Sequence, residues 1–189
     1  MNKRTLGVAS IVVVALLIAG AIVWLRMHPS QPLQNASQAP TIGKAVLGAT
    51  APEFQAATTA GPFDLATATK PVFLEVFATW CPHCQRETAV INKLYAAYKN
   101  RISFVAVSGS DTGMDGASPA SEEDVLRFRT KFQVRYPVAY DGTLAVANQY
   151  LQGGFPTIVV IDSHKKIAYL TSGETPYGEL ASQLKKVLR

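Results

Sequence analysis

Short apolar segments alternate with longer segments of helical periodicity from residue 46 onward. Four short segments are β-branched or aromatic and are bounded by turn residues, which predicts strands at 72–77, 102–107, 157–161 and 167–171. The first three have few polar positions, as is typical of central strands covered on both faces. Strands that alternate with helices predict a βαβ core with parallel pairs, and the last two strands flank a turn and predict an antiparallel pair. The pattern therefore indicates an α/β domain.

The longer segments carry apolar residues at helical spacing. Helices are predicted over 82–99, 121–132 and 143–150, and a last helix begins near Thr175–Pro176. Pro82 suits the first position of the first helix, so this helix begins at the cysteines. Ser121 is followed three residues later by Asp124, which is a capping pattern for the second helix. Asp141 is expected to cap the third helix.

The amino-terminal pattern differs, because residues 6–25 are apolar or small throughout and carry no charge. About 20 such residues span a bilayer as a helix, so we predict a single N-terminal transmembrane helix. Lys3 and Arg4 precede this segment, and their excess over the basic residues that follow predicts a cytoplasmic amino end. The alternative is a cleaved signal peptide, with 19–21 (AGA) as the small-x-small cleavage site.

The chain divides into three predicted parts. Residues 1–26 form a cytoplasmic N-terminus and transmembrane anchor, 27–45 form a flexible linker, and 46–189 form the folded domain. The linker is rich in Pro, Ser, Gln and Ala and has few large apolar residues. We expect a single-pass protein of the bacterial inner (cytoplasmic) membrane, with the folded domain on the periplasmic or extracytoplasmic side.

The basic net charge of +5 belongs partly to the anchor. Three of the 18 basic residues are Lys3, Arg4 and Arg26, and the other 15 stand against 13 acidic residues in the remaining chain. No basic run with interleaved aromatic residues appears. Nucleic acid is therefore not expected as a partner.

The two cysteines of the chain, Cys81 and Cys84, lie in the segment WCPHC. Covalent haem would require His directly after the second cysteine, where Gln85 stands. Tetrahedral zinc would require two more ligands, and His28 and His164 lie in a linker and a predicted turn without ligand spacing. A copper-delivery role would require a longer cysteine gap and a distant His. No metal and no other cofactor are therefore predicted.

A static disulfide and a redox-active pair are the other two possibilities. A bridge over so short a loop constrains the unfolded chain little. The start of a helix, in contrast, offers Cys81 free backbone N–H groups and the positive end of the helix dipole, both of which favour a thiolate. The residues thus favour a pair that exchanges electrons.

A distant motif accompanies the cysteines. FATWCPHCQRE is followed about 70 residues later by 154–157 (GFPT), and with the strand before and the helix after the cysteines this combination resembles the thioredoxin superfamily. The segment 48–54 (GATAPEF), the predicted anchor and the extra helix between strands resemble the membrane-tethered TlpA/ResA-like thiol-disulfide oxidoreductases. The resemblance covers 46–189. It implies a thioredoxin-like α/β fold, a central mixed sheet flanked by helices, with an N-terminal β-hairpin and an inserted helix.

The resemblance also implies roles for the motif residues. Cys81 would be the exposed thiol that attacks a substrate disulfide, and Cys84 would resolve the mixed disulfide; the reverse sequence oxidises a substrate dithiol. Pro156 would be a cis-proline that faces the cysteines and, with Phe155 and Pro82, contacts an extended substrate segment. Without the resemblance, the segment around Pro156 would be a turn that enters a strand.

Two carboxylates and one aromatic residue complete the predicted site. Glu75 lies mid-strand at the position of the buried acid of thioredoxin and the DsbA oxidases, whereas TlpA/ResA-like proteins often have an amide there. A buried carboxyl has a raised pKa and can move the proton of Cys84; the alternative is a strand residue that reaches a sheet edge. Glu87 matches an acid in ResA-like active sites, with a solvated helix-face charge as the alternative. Trp80 would shield one side of the nucleophile and contact substrate, with simple packing as the alternative.

The direction of electron flow stays open. Pro82–His83 equals the dipeptide of the DsbA oxidases, and a His beside Cys81 can stabilise its anion, which predicts a strong oxidant. The scaffold indicates the opposite, because TlpA/ResA-like proteins usually reduce disulfides for cytochrome c maturation or metallo-site assembly. We expect protein dithiols or disulfides as substrates and a membrane redox partner. A different class of function is a non-catalytic module that binds extended polypeptides.

Overall fold

The computed structural model describes residues 44–189. The predicted anchor and signal-peptide alternative, and the predicted linker up to residue 43, lie outside the described residues. Within 44–189, no helix combines the length and the apolar character that a membrane span requires. Ala45, at the end of the predicted linker, is buried, and its N–H donates to the carbonyl of Gln149 at 2.8 Å.

Strands and short helices follow one another along this part of the chain. The strands are β1 (Gln55–Thr58), β2 (Gly61–Asp64), β3 (Val72–Phe77), β4 (Ser103–Ser108), β5 (Val138–Tyr140), β6 (Thr157–Ile161) and β7 (Ile167–Ser172). The helices are α1 (Pro82–Tyr98), α2 (Glu122–Lys131), α3 (Ala147–Tyr150) and α4 (Tyr177–Lys186).

The strands form one mixed sheet in the order β2-β1-β5-β4-β3-β6-β7. β3, β4 and β5 pair in parallel, which confirms the predicted parallel core. β6 runs antiparallel to both β3 and β7, and the predicted antiparallel pair is thus also confirmed. β1 and β2 form the N-terminal hairpin that the resemblance implied, and α2 is the inserted helix.

Two hydrophobic cores cover the two faces of the sheet, and β3 contributes to both. Phe73 and Phe77 lie in the core that includes residues of α1, α2 and α4. Leu74 and Val76 lie in the other core, which includes residues of α3. Because successive strand residues point to opposite faces, Glu75 shares the face of Phe73 and Phe77, under α1. This double burial explains why the strand sequence is almost continuously apolar.

The predicted cap of α2 is confirmed. The Ser121 hydroxyl accepts from the backbone N–H of Asp124 at 3.2 Å, and the Asp124 carboxylate accepts from the N–H of Ser121 at 3.0 Å. These reciprocal bonds satisfy donors that a helix start leaves free.

α3 is shorter than predicted, since it begins at Ala147 rather than at 143. Leu144 has a φ of 56°, in the left-handed region, and cannot be part of a right-handed helix. Asp141 still caps this helix, because its carboxylate accepts from the N–H groups of Ala145, Val146 and Ala147 at 2.9 Å each.

Candidate active site

The two cysteines lie at the start of α1, directly after β3. Cys81 is the N-cap residue with extended backbone, and Pro82 occupies the first helical position as predicted. Both cysteines are free thiols, and Cys84 is fully buried in the first turn. This arrangement points the free backbone N–H groups of the helix start toward the Cys81 sulfur.

Cys81 differs from the exposed thiol that we expected, because only 4% of its surface is accessible. In its protonated form the Cys81 thiol donates to the carbonyl of Phe155 at 3.6 Å, and the half-buried Phe155 side chain packs on the same core. The sulfur is therefore covered by the segment that carries the GFPT motif.

The sulfur of Cys81 is nevertheless acidic. A hydrogen bond from the Cys84 thiol lowers the pKa of Cys81 to about 6 against the opposing effect of burial. The backbone N–H groups of Cys84 and His83 lower this pKa further, and the charge of the His83 ring makes the smallest of these contributions. Near neutral pH Cys81 is thus mainly a thiolate.

Cys84 has the opposite character. Its pKa is raised far above that of an ordinary thiol, first by burial, then by its hydrogen bond to Cys81 and by the negative charge of Glu75. The structure therefore places a thiolate and a protonated thiol side by side, which is the asymmetry that a nucleophile and a resolving thiol require.

The Phe155–Pro156 peptide bond is cis, as the resemblance implied. Trp80 lies on the same side of the site, where its ring meets the Phe155 ring edge-on at a centroid distance of 6.1 Å. The Trp80 indole N–H donates to the Ser110 hydroxyl at 2.9 Å. The ring is partly exposed, and its role in shielding the nucleophile stays a prediction.

Glu75 is buried at the centre of the sheet, with 2% of its surface accessible. It pairs with Ala106 on one side and Ile158 on the other, so the alternative of a side chain that escapes to an edge is wrong. Burial, and next the negative charge of Glu87, raise the pKa of Glu75 to about 8. The Tyr136 hydroxyl donates to Glu75 Oε2 at 3.3 Å and opposes this rise.

Glu87 is also buried, with 2% of its surface accessible, and the alternative of a solvated charge is wrong. One oxygen, Oε2, accepts from the N–H of Thr175 at 3.2 Å. The other, Oε1, has no hydrogen-bond partner within residues 44–189. Burial raises the pKa of Glu87 to about 7 against the effect of the Thr175 N–H. The position one helical turn after Cys84 faces inward because α1 packs against α4.

The His83 ring does not bond to Cys81 but to a carboxylate. Nδ1 lies 2.6 Å from Oε1 of Glu174 and 2.9 Å from the guanidinium of Arg86. Arg86 also donates to the same Glu174 oxygen, through Nε at 3.0 Å and through Nη2. These hydrogen bonds, from Arg86 first and His83 second, lower the pKa of Glu174 to about 2.

Three residues of this site were missed by the sequence analysis. Arg86 lies one helical turn after His83, and this spacing was a signal that could have found it. Glu174 and Tyr136 carry no such signal, because they lie 91 and 61 residues from their partners His83 and Glu75. Only the fold brings them to the site.

In the part of the chain that the structure describes, no group of three or more His, Cys, Asp or Glu side chains is arranged to hold a metal ion.

Comparison with known proteins identifies the family and relatives of this chain. The Redoxin family model matches residues 46–188. The thiol-disulfide oxidoreductase ResA of Bacillus cereus (strain ZK / E33L) is 29% identical over 119 residues, which cover 62% of this chain and 64% of that protein. ResA of Geobacillus thermodenitrificans (strain NG80-2) is 28% identical over 144 residues, 75% of this chain and 78% of that protein. The chain thus spans just under two thirds of the first of these relatives.

Solved structures show the same fold. A putative thiol:disulfide interchange protein DsbE from Chlorobium tepidum has a TM-score of 0.66 at 24% identity and covers 77% of this chain and 99% of its own. A putative protein disulfide isomerase from Bacteroides thetaiotaomicron has a TM-score of 0.68 at 25% identity and covers 78% of this chain and 94% of its own. The expected thioredoxin-like α/β fold is confirmed, while the functional likeness of the CPHC segment to the DsbA oxidases stays a prediction.

Proposed function

The chain belongs to the Redoxin family, and from this premise we propose that it is a thiol-disulfide oxidoreductase that exchanges disulfides with protein substrates. The observation that carries the proposal is the pair of sulfurs of opposite acidity, Cys81 with a pKa of about 6 and Cys84 with a strongly raised one. A static disulfide does not require the two cysteines to differ in pKa, whereas disulfide exchange requires an attacking thiolate.

The first step is attack on the substrate. The Cys81 thiolate forms a bond to one sulfur of a substrate disulfide, the substrate S–S bond breaks, and the other substrate sulfur leaves as a thiolate that takes a proton from water. The product is a mixed disulfide between Cys81 and the substrate. Because the Cys81 sulfur is covered by Phe155, the substrate must displace or replace this contact.

The second step resolves the mixed disulfide. The ionised fraction of Glu75, which is the minor form below its pKa of about 8, takes the proton of the Cys84 thiol. The Cys84 sulfur then bonds to the Cys81 sulfur, the mixed disulfide breaks, and the substrate sulfur that it held leaves as a thiolate. Two electrons have then moved from the protein dithiol to the substrate disulfide. A pKa of about 8 lets Glu75 accept this proton and return it when the sequence runs backward and a substrate dithiol is oxidised.

An extended substrate segment would lie over the rim of the site. The apolar residues proposed to contact this segment are Trp80, Pro82, Phe155 and Pro156. The support for this is the Phe155 carbonyl, 3.6 Å from the Cys81 sulfur, and the edge-on packing of Trp80 against the Phe155 ring. A substrate backbone beside this carbonyl would place its disulfide in line with the nucleophile.

The lowered pKa of Cys81 supports an oxidising tendency. Stabilising the thiolate stabilises the reduced protein, and a pKa of about 6 lies between about 7 for thioredoxin and about 3.5 for the DsbA oxidase. The alternative is net reduction of disulfides in cytochrome c maturation or metallo-site assembly, which the TlpA/ResA-like resemblance supports. An extracytoplasmic location, a membrane anchor and a membrane redox partner complete the proposal and rest on the sequence pattern of residues 1–26.

Trapping tests the function directly. In Cys84→Ser the mixed disulfide cannot be resolved, so the full chain should accumulate substrates that are bound through Cys81 and released by a reducing agent. The Cys81→Ser variant is the matched control and should trap none. Absence of any Cys81-dependent mixed disulfide in Cys84→Ser, together with undiminished binding of an unfolded polypeptide by Cys81→Ser, would instead support the non-catalytic polypeptide-binding module and contradict the proposal.

A further inference from the structure

An ionic cluster of three side chains lies beside the cysteines and has no part in the two exchange steps. It consists of His83 and Arg86 on α1 and Glu174 in the connection between β7 and α4. The three side chains are substantially exposed, with accessible fractions of 60% for His83, 56% for Arg86 and 37% for Glu174.

The cluster directs both cationic groups toward one oxygen. Oε1 of Glu174 lies 2.6 Å from His83 Nδ1 and also accepts two N–H groups of Arg86. The same His83 nitrogen lies 2.9 Å from Nη2 of Arg86, so the two neighbours of Nδ1 are Glu174 and Arg86. The single negative charge of Glu174 therefore offsets part of the positive charge of this cluster before that charge acts on Cys81.

Both cationic groups nevertheless lie within electrostatic reach of the nucleophile. The His83 charge contributes to the lowered pKa of Cys81. The Cys81 sulfur in turn raises the pKa of Arg86, after the larger effect of the hydrogen bond to Glu174. The other titratable groups that interact with Cys81 are the buried Glu75 on β3 and Cys84 on α1, and neither carries a positive charge that could stabilise the Cys81 thiolate.

We propose that Glu174 is a positioning residue that binds His83 and Arg86, offsets their positive charge beside the Cys81 sulfur, and thereby limits how strongly the Cys81–Cys84 disulfide oxidises its partners. The inference rests on the proposed thiol-disulfide exchange. It follows because any positive charge near the thiolate stabilises the reduced protein. The contacts of Glu174 would then explain how this protein can share the Pro82–His83 dipeptide with the DsbA oxidases and still be a weaker oxidant than they are.

The Glu174→Gln variant tests the inference, because it keeps the size of the side chain and leaves the neighbouring Thr175 N–H bond to Glu87 in place. Two quantities are measured on the full chain: the titration of Cys81 by thiolate absorbance and the equilibrium of the disulfide with glutathione. We expect the pKa of Cys81 to fall and the equilibrium to shift toward the reduced protein, by about two- to fivefold, the range of an exposed ion pair.

Two controls separate this role from a general change in charge. Glu179→Gln removes one negative charge from α4, where the carboxylate accepts from the Tyr169 hydroxyl at 2.6 Å, and should change neither quantity. In a background of His83→Ala and Arg86→Gln, the effect of Glu174→Gln should disappear, since the groups that it releases are gone.

The outcomes also separate this inference from the proposed function. If the wild-type cysteines form no disulfide with glutathione, the exchange function itself is wrong. If they do, and Glu174→Gln leaves both quantities unchanged, raises the pKa of Cys81, or acts equally in the double-variant background, the positioning role of Glu174 is wrong while the exchange function stands.

Discussion

At the scale of single residues, the site depends on buried groups whose pKa values are shifted toward neutrality. Cys81 has a pKa of about 6, Glu75 of about 8 and Glu87 of about 7, all within a short distance of neutrality. Small changes of pH therefore change the charge of the site, and each carboxylate can be tested by a substitution that keeps its shape.

Glu75→Gln should slow the resolution of the mixed disulfide, since the Cys84 proton loses its acceptor. General acid-base catalysis typically contributes at least about 100-fold, and we expect a loss of about that size in the resolving step. The measurement is the decay of a preformed mixed disulfide at several pH values, with the attack by Cys81 as the internal control. An unchanged decay rate and pH profile would remove Glu75 from the mechanism.

Glu75→Gln should also change how stability depends on pH. The folded-state pKa of Glu75 is raised from 4.5 to about 8, so the folded state holds a proton that the unfolded state releases. Between these two values the folded protein therefore loses stability as the pH rises, by about 3 kcal/mol up to pH 7 for this group alone. Urea denaturation at pH 5 and pH 7.5 should show this loss in wild type and a smaller one in Glu75→Gln. Equal losses in both proteins would contradict the assignment.

Tyr136→Phe should raise the pKa of Glu75 further, because the variant lacks the hydroxyl that donates to Oε2. The pH profile of resolution should move to higher pH, while the titration of Cys81 changes little. Tyr140→Phe is the control, since that hydroxyl donates to the Ala120 carbonyl at 2.7 Å, away from Glu75. A profile that moves equally in both variants would show a general effect of losing a tyrosine hydroxyl.

At the scale of elements, the start of α1 is held by two different parts of the chain. The segment around Phe155 covers the Cys81 sulfur, and the connection before α4 contacts α1 through Glu174 and through the Thr175 N–H. The geometry of the nucleophile thus depends on the ends of β6 and α4 as well as on its own helix.

Asp141→Ala should destabilise the fold without changing the chemistry of the cysteines. The carboxylate caps α3 through three N–H groups, and loss of such a cap costs about 1 to 2 kcal/mol. The measurement is urea denaturation, and Asp141→Asn, which keeps one acceptor oxygen, should lose less. A shifted titration of Cys81 in Asp141→Ala would show that α3 also positions the active site.

The elements differed in how well the sequence predicted them. β3 and β6 have the predicted bounds. Each is a continuous apolar run bounded by turn residues, and this pattern marks both ends of a strand that is buried on both faces. β5 was missed, since three residues, Val138–Tyr140, are too few to show periodicity. The start of α3 was wrong because the left-handed backbone of Leu144 is not visible in a pattern of apolar positions.

At the scale of the whole molecule, the sequence predicted the reacting groups better than their surroundings. Cys81, Cys84 and the cis Pro156 belong to local motifs, and Glu75 is conspicuous as a charge inside an apolar strand. Glu174 and Tyr136 meet their partners only through long-range packing, and the accessible fraction of Cys81 depends on a segment 74 residues away. The residues that react could therefore be identified from the sequence, whereas the residues that shift their pKa values could be identified only from the structure.

The equilibrium of the full chain with glutathione tests the central claim most directly, since it measures whether Cys81 and Cys84 form a reversible disulfide and how oxidising it is. The account predicts a two-electron couple with a reduction potential between about −270 mV, the value for thioredoxin, and about −120 mV, the value for the DsbA oxidase. Absence of a glutathione-dependent Cys81–Cys84 disulfide would contradict the proposed disulfide exchange. A reduction potential at or below that of thioredoxin would contradict the oxidising tendency.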